Sequence, residues 1–412
     1  MAAEFPFAQL TSNQLTYSER DEGYRRLHAW PEPSYRHDSG LHMVWRYADV
    51  RELLEATAPE ISNAHALRPL VGFGRIAANP RAVGHLCRHL LPLPAKATAD
   101  LTDDVLHRRV WATMAGPTGY FTVPADTRSE RAEALAEHFR HSLPVSGDLS
   151  EPLDVTAASI VYATRVIGET IGLPERVWPA VAEWSGAQSG LLGRRMRGRE
   201  LADAVGALGR LFTVSGLAVA HSRQHAAGFS GHLHAAGIPP RVAVSVVANS
   251  LAAGVHTVSG TIQQGLQRLL GDPDRQWWKL LGEVKGTADV AAKVLQLDPG
   301  LVGWKRNIVR PTTLRSGTAL PRGPVLVMFG AANRDPRAFA DPLAMDSAGK
   351  VPLTFGFGRH TCPGKQLAQL AVEVFLRELH NRAPHAQLVG SARSARSRPA
   401  DLLFSGADIV IR

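Results

Sequence analysis

Cysteine is scarce: the 412 residues include two, Cys87 and Cys362. A disulfide framework is therefore excluded, and the pair fits a reducing compartment, with Cys87 reading as a small buried hydrophobe. A secretion signal is also missing, because Met1 to Pro6 lacks a basic n-region and an apolar h-region. No later run approaches the roughly eighteen apolar residues of a membrane span. These absences predict a soluble cytoplasmic protein with no membrane partner. Aromatic residues are only 7% of the chain, and few interleave the arginine clusters Arg194, Arg195, Arg197, Arg199 and Arg393, Arg396, Arg398. A net charge of +9 raises nucleic acid as a partner. Without a recognisable nucleic-acid motif the clusters read as solvated faces, and no nucleic-acid partner is expected.

Phosphate-binding loops are absent as well. Gly72-Phe73-Gly74-Arg75-Ile76-Ala77 spells Gly-x-Gly-x-x-Ala but follows no clear strand, and Pro80 is expected to stop any helix after it, so a dinucleotide site is rejected. Gly364-Lys365 fails as a phosphate loop because Gln366 stands where Ser or Thr must bind magnesium.

Periodicity, by contrast, is plentiful in a chain that is 45% hydrophobic and long enough to bury a large core. Apolar stripes predict helices at Tyr17 to His28, Asp103 to Met114, Arg128 to His141, Leu153 to Ile171, Val177 to Leu192, Glu200 to Ala220, Val290 to Leu297 and Gly364 to Arg382. Arg241 to Leu270 is apolar almost all round, the mark of a helix buried through the centre of the molecule. Strand patterns are few, at Leu41 to Tyr47 and Val325 to Met328. The stretch from Ile61 to Thr102, dense in Pro, Gly and His, reads as a long irregular segment, and such segments are often lids.

The chemistry concentrates in Phe355-Gly356-Phe357-Gly358-Arg359-His360-Thr361-Cys362-Pro363-Gly364-Lys365-Gln366-Leu367-Ala368. A glycine-bent loop here presents Cys362 at the start of a helix, whose N-terminus together with Arg359, His360 and Lys365 favours a thiolate. Cys362 reads as a metal ligand, with Gly358 and Gly364 letting the backbone approach a flat cofactor closely.

Phe355, Gly358, Cys362, Gly364 and Ala368 match Phe-x-x-Gly-x-x-x-Cys-x-Gly-x-x-x-Ala at every fixed position. On these residues the chain resembles the cytochrome P-450 superfamily, in its soluble, bacterial-type heme-thiolate form. The resemblance implies a mainly α fold with a small β region, the cytochrome P-450 fold, as one domain over 1–412. Its helix-rich parts would lie near 104–298 and 363–383, and its β-containing parts near 41–60 and 300–345. It implies heme b, with iron on Cys362, and a cofactor site that includes Arg108, Arg306, His360, Phe355, Gly358, Gly364, Ala253 and Gly254. Arg108 would match the arginine of a His-x-x-x-Arg pair on a heme propionate, with Asp104 at the histidine position and His107 next to it. Ala252 to Val258 matches the oxygen-binding bend of the central helix. Thr257 is its threonine, and His256 replaces the usual acid. Two readings of His256 stand: a proton relay with Thr257, or a side chain turned away toward a neighbouring helix.

One family feature is missing. The Glu-x-x-Arg pair and its later arginine fall on Lys293, Gln296 and Ala344. Loss of a whole buried ion network is tolerated better than loss of one member. The implied activity is a heme-thiolate monooxygenase that tailors a secondary metabolite, with dioxygen and electrons from a ferredoxin or similar protein, on a small-molecule or small-peptide substrate. The alternatives are oxidative coupling of aromatic groups in a small peptide without oxygen insertion, and a non-catalytic accessory protein of the same fold.

Overall fold

The computed structural model describes residues 6, 15–37, 40–56, 58–64, 66–91, 93–96, 100–143, 151–225, 228–283, 286–346, 349–390 and 402–412. The cluster Arg393, Arg396 and Arg398 lies outside them.

A five-stranded sheet and a helical body account for the described residues. Helix α1 (Tyr17–His28) opens on a capping box, in which Thr16 accepts from the Glu19 amide and the Glu19 carboxylate accepts from the Thr16 amide. Strands β1 (Ser34–Arg36) and β2 (His42–Val44) form a hairpin, and α2 (Tyr47–Glu55) and β3 (Ile61–Ser62) follow. Next come two helices, α3 (Phe73–Ala77) and α4 (Pro80–His89), inside the stretch expected to be irregular. Pro80 starts α4 instead of stopping it. It occupies the first turn, where its missing N–H costs nothing, and Asn79 caps the end by accepting from the Ala82 amide.

The helical body is α5 (Asp104–Ala115), α6 (Arg128–Arg140), α7 (Val155–Ile171) after β4 (Leu153–Asp154), α8 (Trp178–Gly193), α9 (Gly198–His225), α10 (Gly228–Ala235), α11 (Pro240–Gly271), α12 (Gln276–Leu280) and α13 (Gly286–Leu297). Then come β5 (Trp304–Ile308), β6 (Thr312–Thr313), β7 (Ala319–Leu320), β8 (Gly323–Val327), α14 (Phe329–Ala332), α15 (Lys365–Arg382) and β9 (Val410–Ile411). In the sheet order β1-β2-β8-β5-β3, β2 and β8 run parallel and the other pairs antiparallel. The architecture is mainly α with a small β region, as the residues predict.

Helix α11 is the axis of the body. Val247, Leu251, Val255, Ile262 and Leu266 are completely buried, and it packs on α7, α8, α9, α13 and α15. Both α9, through Ser222, and α11 are long and apolar enough to cross a membrane by length and composition. This corrects the expectation that no run comes close. For α11, interior packing supplies the reason, since a helix surrounded by other helices is apolar on every side.

Candidate functional site

Cys362 sits on the wall of a cavity enclosed by α7, α8, α11, β5 and the loop before α15. The loop is held by its own backbone, the Cys362 amide donating to Phe355 O at 2.7 Å and the Gly356 amide to Leu353 O at 2.8 Å. Gly358 has φ +73°, and a Cβ there would stand 3.1 Å from Glu55 Cα. Its glycine requirement therefore comes from a left-handed turn pressed against α2. Gly358 does not line the cavity, so it is not the point of cofactor approach that the motif suggests; Gly364, Phe355, Ala253 and Gly254 do line it.

Two groups on this wall suit a charged cofactor, the half-buried Cys362 thiol and the buried Arg306 guanidinium. Burial pushes the Cys362 thiol up, against the Gly364 amide and Lys365, which lower it. Arg306 is 3% exposed, and burial pushes its guanidinium down to about 9. It donates only to the carbonyls of Leu53 and Lys305, and no ion pair forms on it among the described residues. The thiolate form of Cys362 would be stabilised by a cation, and the buried guanidinium calls for an anion. Heme iron with its propionates supplies both, and a coordinated thiol loses its proton outright. The residues present therefore fit heme b, with Cys362 as the ligand and Arg306 on a propionate.

Helix α5 approaches the loop in a register different from the one expected. Arg108 is exposed and lines no part of the cavity. Asp104, His107 and Trp111 face the loop instead: Asp104 pairs with Arg359 at 2.6 Å, His107 Nε2 lies 3.2 Å from His360 Nδ1, and Trp111 Nε1 donates to Thr361 O at 3.1 Å. Residues three and four apart share a helix face, whereas Arg108 points about 100° away from His107. Anchoring the His-x-x-x pattern on His107, with Trp111 in the arginine's place, would have found this face from the sequence.

On α11, Thr257 lines the cavity and donates its hydroxyl to Ala253 O at 2.6 Å. His256 does not line it. Its ring lies against α8, where a Cβ on Gly186 would stand 3.3 Å from Cε1 and Nε2. Consecutive helical residues diverge by about 100°, so of the two readings of His256 the geometry matches the one in which it turns toward a neighbouring helix.

A neutral network occupies the place of the missing Glu-x-x-Arg bracing. Asn333, fully buried, donates through Nδ2 to Gln296 O and to Thr354 Oγ1, both at 2.8 Å, and accepts from the Leu353 amide at 2.6 Å. Gln296 Nε2 returns a bond to Asn333 O at 3.0 Å, and Thr354 donates to Leu295 O at 2.6 Å. These bonds tie α13 to the first residues of the cysteine loop. A second anchor is charged. Asp298, just past α13, accepts from Arg20, Arg268 and Arg334, and Asp21 accepts from Arg268 and Arg334. The surrounding guanidinia hold both carboxyls below the usual range despite the opposing effect of burial.

The arginine-rich turn after α8 lies on a separate surface groove that Arg75, Arg81, Arg197 and Arg199 line, away from Cys362. Arg194 pairs with Glu200 at 2.7 Å. The tail residue Phe404 reaches the cavity.

Cytochrome P-450 130 of Mycobacterium tuberculosis is 29% identical over 267 residues, covering 58% of this chain and 62% of its own length. The match thus spans less than two thirds of that relative. Biflaviolin synthase of Streptomyces coelicolor is 27% identical over 349 residues, 79% of each chain. Among solved structures, cytochrome P-450 CREJ in complex with (4-ethylphenyl) dihydrogen phosphate superposes with a TM-score of 0.81 at 20% identity, covering 97% of this chain and 98% of that one. CalO2 superposes at 0.78 and 23% identity, over 100% and 98%. No protein-family model matches the chain. The topology shows that the chain has the cytochrome P-450 fold, and its sequence is similar to cytochromes P-450 over the stretches matched.

Proposed function

We propose that the protein is a heme-thiolate monooxygenase that acts on a secondary metabolite. The observation that carries this reading is the pairing, on one apolar cavity, of the half-buried Cys362 thiol with the buried Arg306 guanidinium, which has no carboxylate partner among the described residues. When bound, heme ligated by a thiolate supplies activation of dioxygen with electrons from a partner. The chain's own residues set what surrounds that chemistry. Arg306 and the His107–His360 contact would hold the propionate edge, and Thr257 offers a hydroxyl oxygen on α11. The apolar wall excludes water from the reacting region.

Arg108 and Arg109 are exposed on α5 and Arg359 on the cysteine loop, a basic face suited to an acidic ferredoxin-like partner in the cytoplasm. The test is the spectrum of the reduced protein with carbon monoxide. A red-shifted Soret band that Cys362→Ser abolishes is expected; heme binding without that band, or none, overturns the reading and returns the accessory protein.

Oxidative coupling has one observation in its favour. No Asp or Glu lines the cavity among the described residues, and His256 is turned toward Gly186, so Thr257 has no acid beside it to pass protons. Coupling takes two one-electron abstractions from phenol or indole rings, with dioxygen reduced to water as the electron acceptor and no oxygen entering the product. Labelled dioxygen separates the two outcomes: label in the product means insertion, and coupled product without label means coupling.

A further inference from the structure

The polar groups on the cavity wall share a property that their residue types alone would not reveal. Every side-chain hydroxyl hydrogen on the wall is already donated to a backbone carbonyl: Ser250 to Val246 at 2.9 Å, Thr257 to Ala253 at 2.6 Å, Thr261 to Thr257 at 2.7 Å, Thr354 to Leu295 at 2.6 Å and Thr361 to Gly358 at 2.7 Å. The two amides follow suit. Asn249 Nδ2 donates to Ser245 O at 2.7 Å, and Gln188 Nε2 to Ser185 O at 3.4 Å. A carbonyl can only accept, so these bonds fix which end of each amide is nitrogen. The ends left without a partner are the oxygens Asn249 Oδ1 and Gln188 Oε1.

Both amides lie on facing helices, joined where Ser185 donates to Leu251 O at 3.3 Å. Asn249 is eight residues before Thr257 on α11, about 12 Å along the axis. Charge is confined to the cofactor end, where Arg306 and His360 are the only ionisable nitrogen groups on the wall among the described residues. The indole of Trp304 shares the strand face of Arg306 two residues away, so this further donor also belongs to that end. The far end of the cavity is thus apolar, uncharged and equipped with acceptors.

We infer that the cavity selects an uncharged molecule with an apolar body that carries a hydrogen-bond donor, a phenol O–H or an indole or amide N–H, which Asn249 Oδ1 and Gln188 Oε1 receive. The inference rests on the heme-thiolate reading and names the substrate class of that same site. A carboxylate would bring acceptors to acceptors, and an ammonium would be buried with no carboxylate to balance it. A neutral donor satisfies the two oxygens at no cost in charge. A molecule without the donor leaves them unpaired after water has been expelled, which is how polar pockets discriminate strongly.

The test uses the heme-loaded protein and calorimetric titration, with the spin-state shift of the heme as a second readout. The probes are p-cresol, 4-methylanisole and p-toluate, and indole with 1-methylindole. Each donor should bind about tenfold more tightly than its methylated counterpart, one hydrogen bond's worth of affinity, with p-toluate weaker than p-cresol. In Asn249→Leu and in Gln188→Leu the ratio should fall toward one while the methylated probe keeps its affinity, which also certifies folding. Equal binding within each pair in the wild type, a ratio unchanged in both variants, or p-toluate binding most tightly overturns the donor selection. A protein without the thiolate-type Soret band overturns the heme reading itself, so the two failures are told apart by the spectrum taken before any titration.

Discussion

Replacing Asn333 by alanine should loosen the cysteine loop from behind. The substitution removes three hydrogen bonds and strands the Leu353 amide and the Gln296 carbonyl, while Thr354 keeps its bond to Leu295 O. Each stranded buried group costs about 1–3 kcal/mol, so the two together should cost about 2–6 kcal/mol. For 412 residues unfolding as a unit, the entropy of unfolding near 60 °C is about 0.9 kcal/mol/K, and the melting temperature should fall by about 2–7 °C. Thr354→Val removes one donor and one acceptor, the bond to Leu295 O and the bond from Asn333 Nδ2, and should cost about 1–3 kcal/mol.

The location of the damage matters more than its size. Leu353 and Thr354 precede Phe355, whose carbonyl holds the Cys362 amide, so Asn333→Ala should also shift part of the reduced carbon monoxide spectrum to the unshifted Soret position of a lost thiolate. Thermal melts and difference spectra of the heme-loaded protein read both effects. A melting temperature within about 1 °C of wild type together with a full red-shifted band would show that the amide network does not brace the loop, and the account of how this chain replaces its missing ion pair would fail.

Further outcomes follow from the same geometry. His107→Phe should weaken heme retention about tenfold while Arg108→Ala leaves it unchanged, measured by heme transfer to an acceptor protein, since His107 and not Arg108 reaches His360. Thr257→Ala should raise electron consumption without product, whereas His256→Ala should not; uncoupling by His256→Ala would restore the relay. Asp21 and Asp298 have carboxyls held below their unfolded range by guanidinia. Their stabilisation is therefore complete above about pH 5 and lost as pH falls through the native values, which urea unfolding across pH should show. Asp298→Asn leaves Arg20 and Arg268 short of a partner and should cost about 3–5 kcal/mol at pH 7, with a flatter acid limb.

Much of the site could be read from the sequence because its signals are local. The spacing around Cys362 fixes a loop and a helix start, and the apolar run after Arg241 marks the central helix α11. Arg306 was found by motif and stands on the cavity wall. What escaped depends on angle or on distant partners. His107 was next to the right answer, yet one residue on a helix decides whether a side chain meets the loop or the solvent. His256 has a relay-competent side chain, and only the packing of α8 at Gly186 shows where it points. The Asn333 network joins positions 20 and 37 residues apart through backbone carbonyls, which no residue pattern records. Pro80 was misjudged because proline ends a helix in its interior but begins one at its first turn.

The cluster around Asp298 also has a history in time. Arg334 leaves the ribosome 313 residues after its partner Asp21. At about 5–20 residues per second, Asp21 waits roughly 15 to 60 s for this last guanidinium. Helix α1 is thus made well before it is fully secured. Nascent chains stalled before Arg334 should be cut by protease within Tyr17–His28, and chains released after it should not. Early protection would mean that α1 docks on α11 without its third arginine.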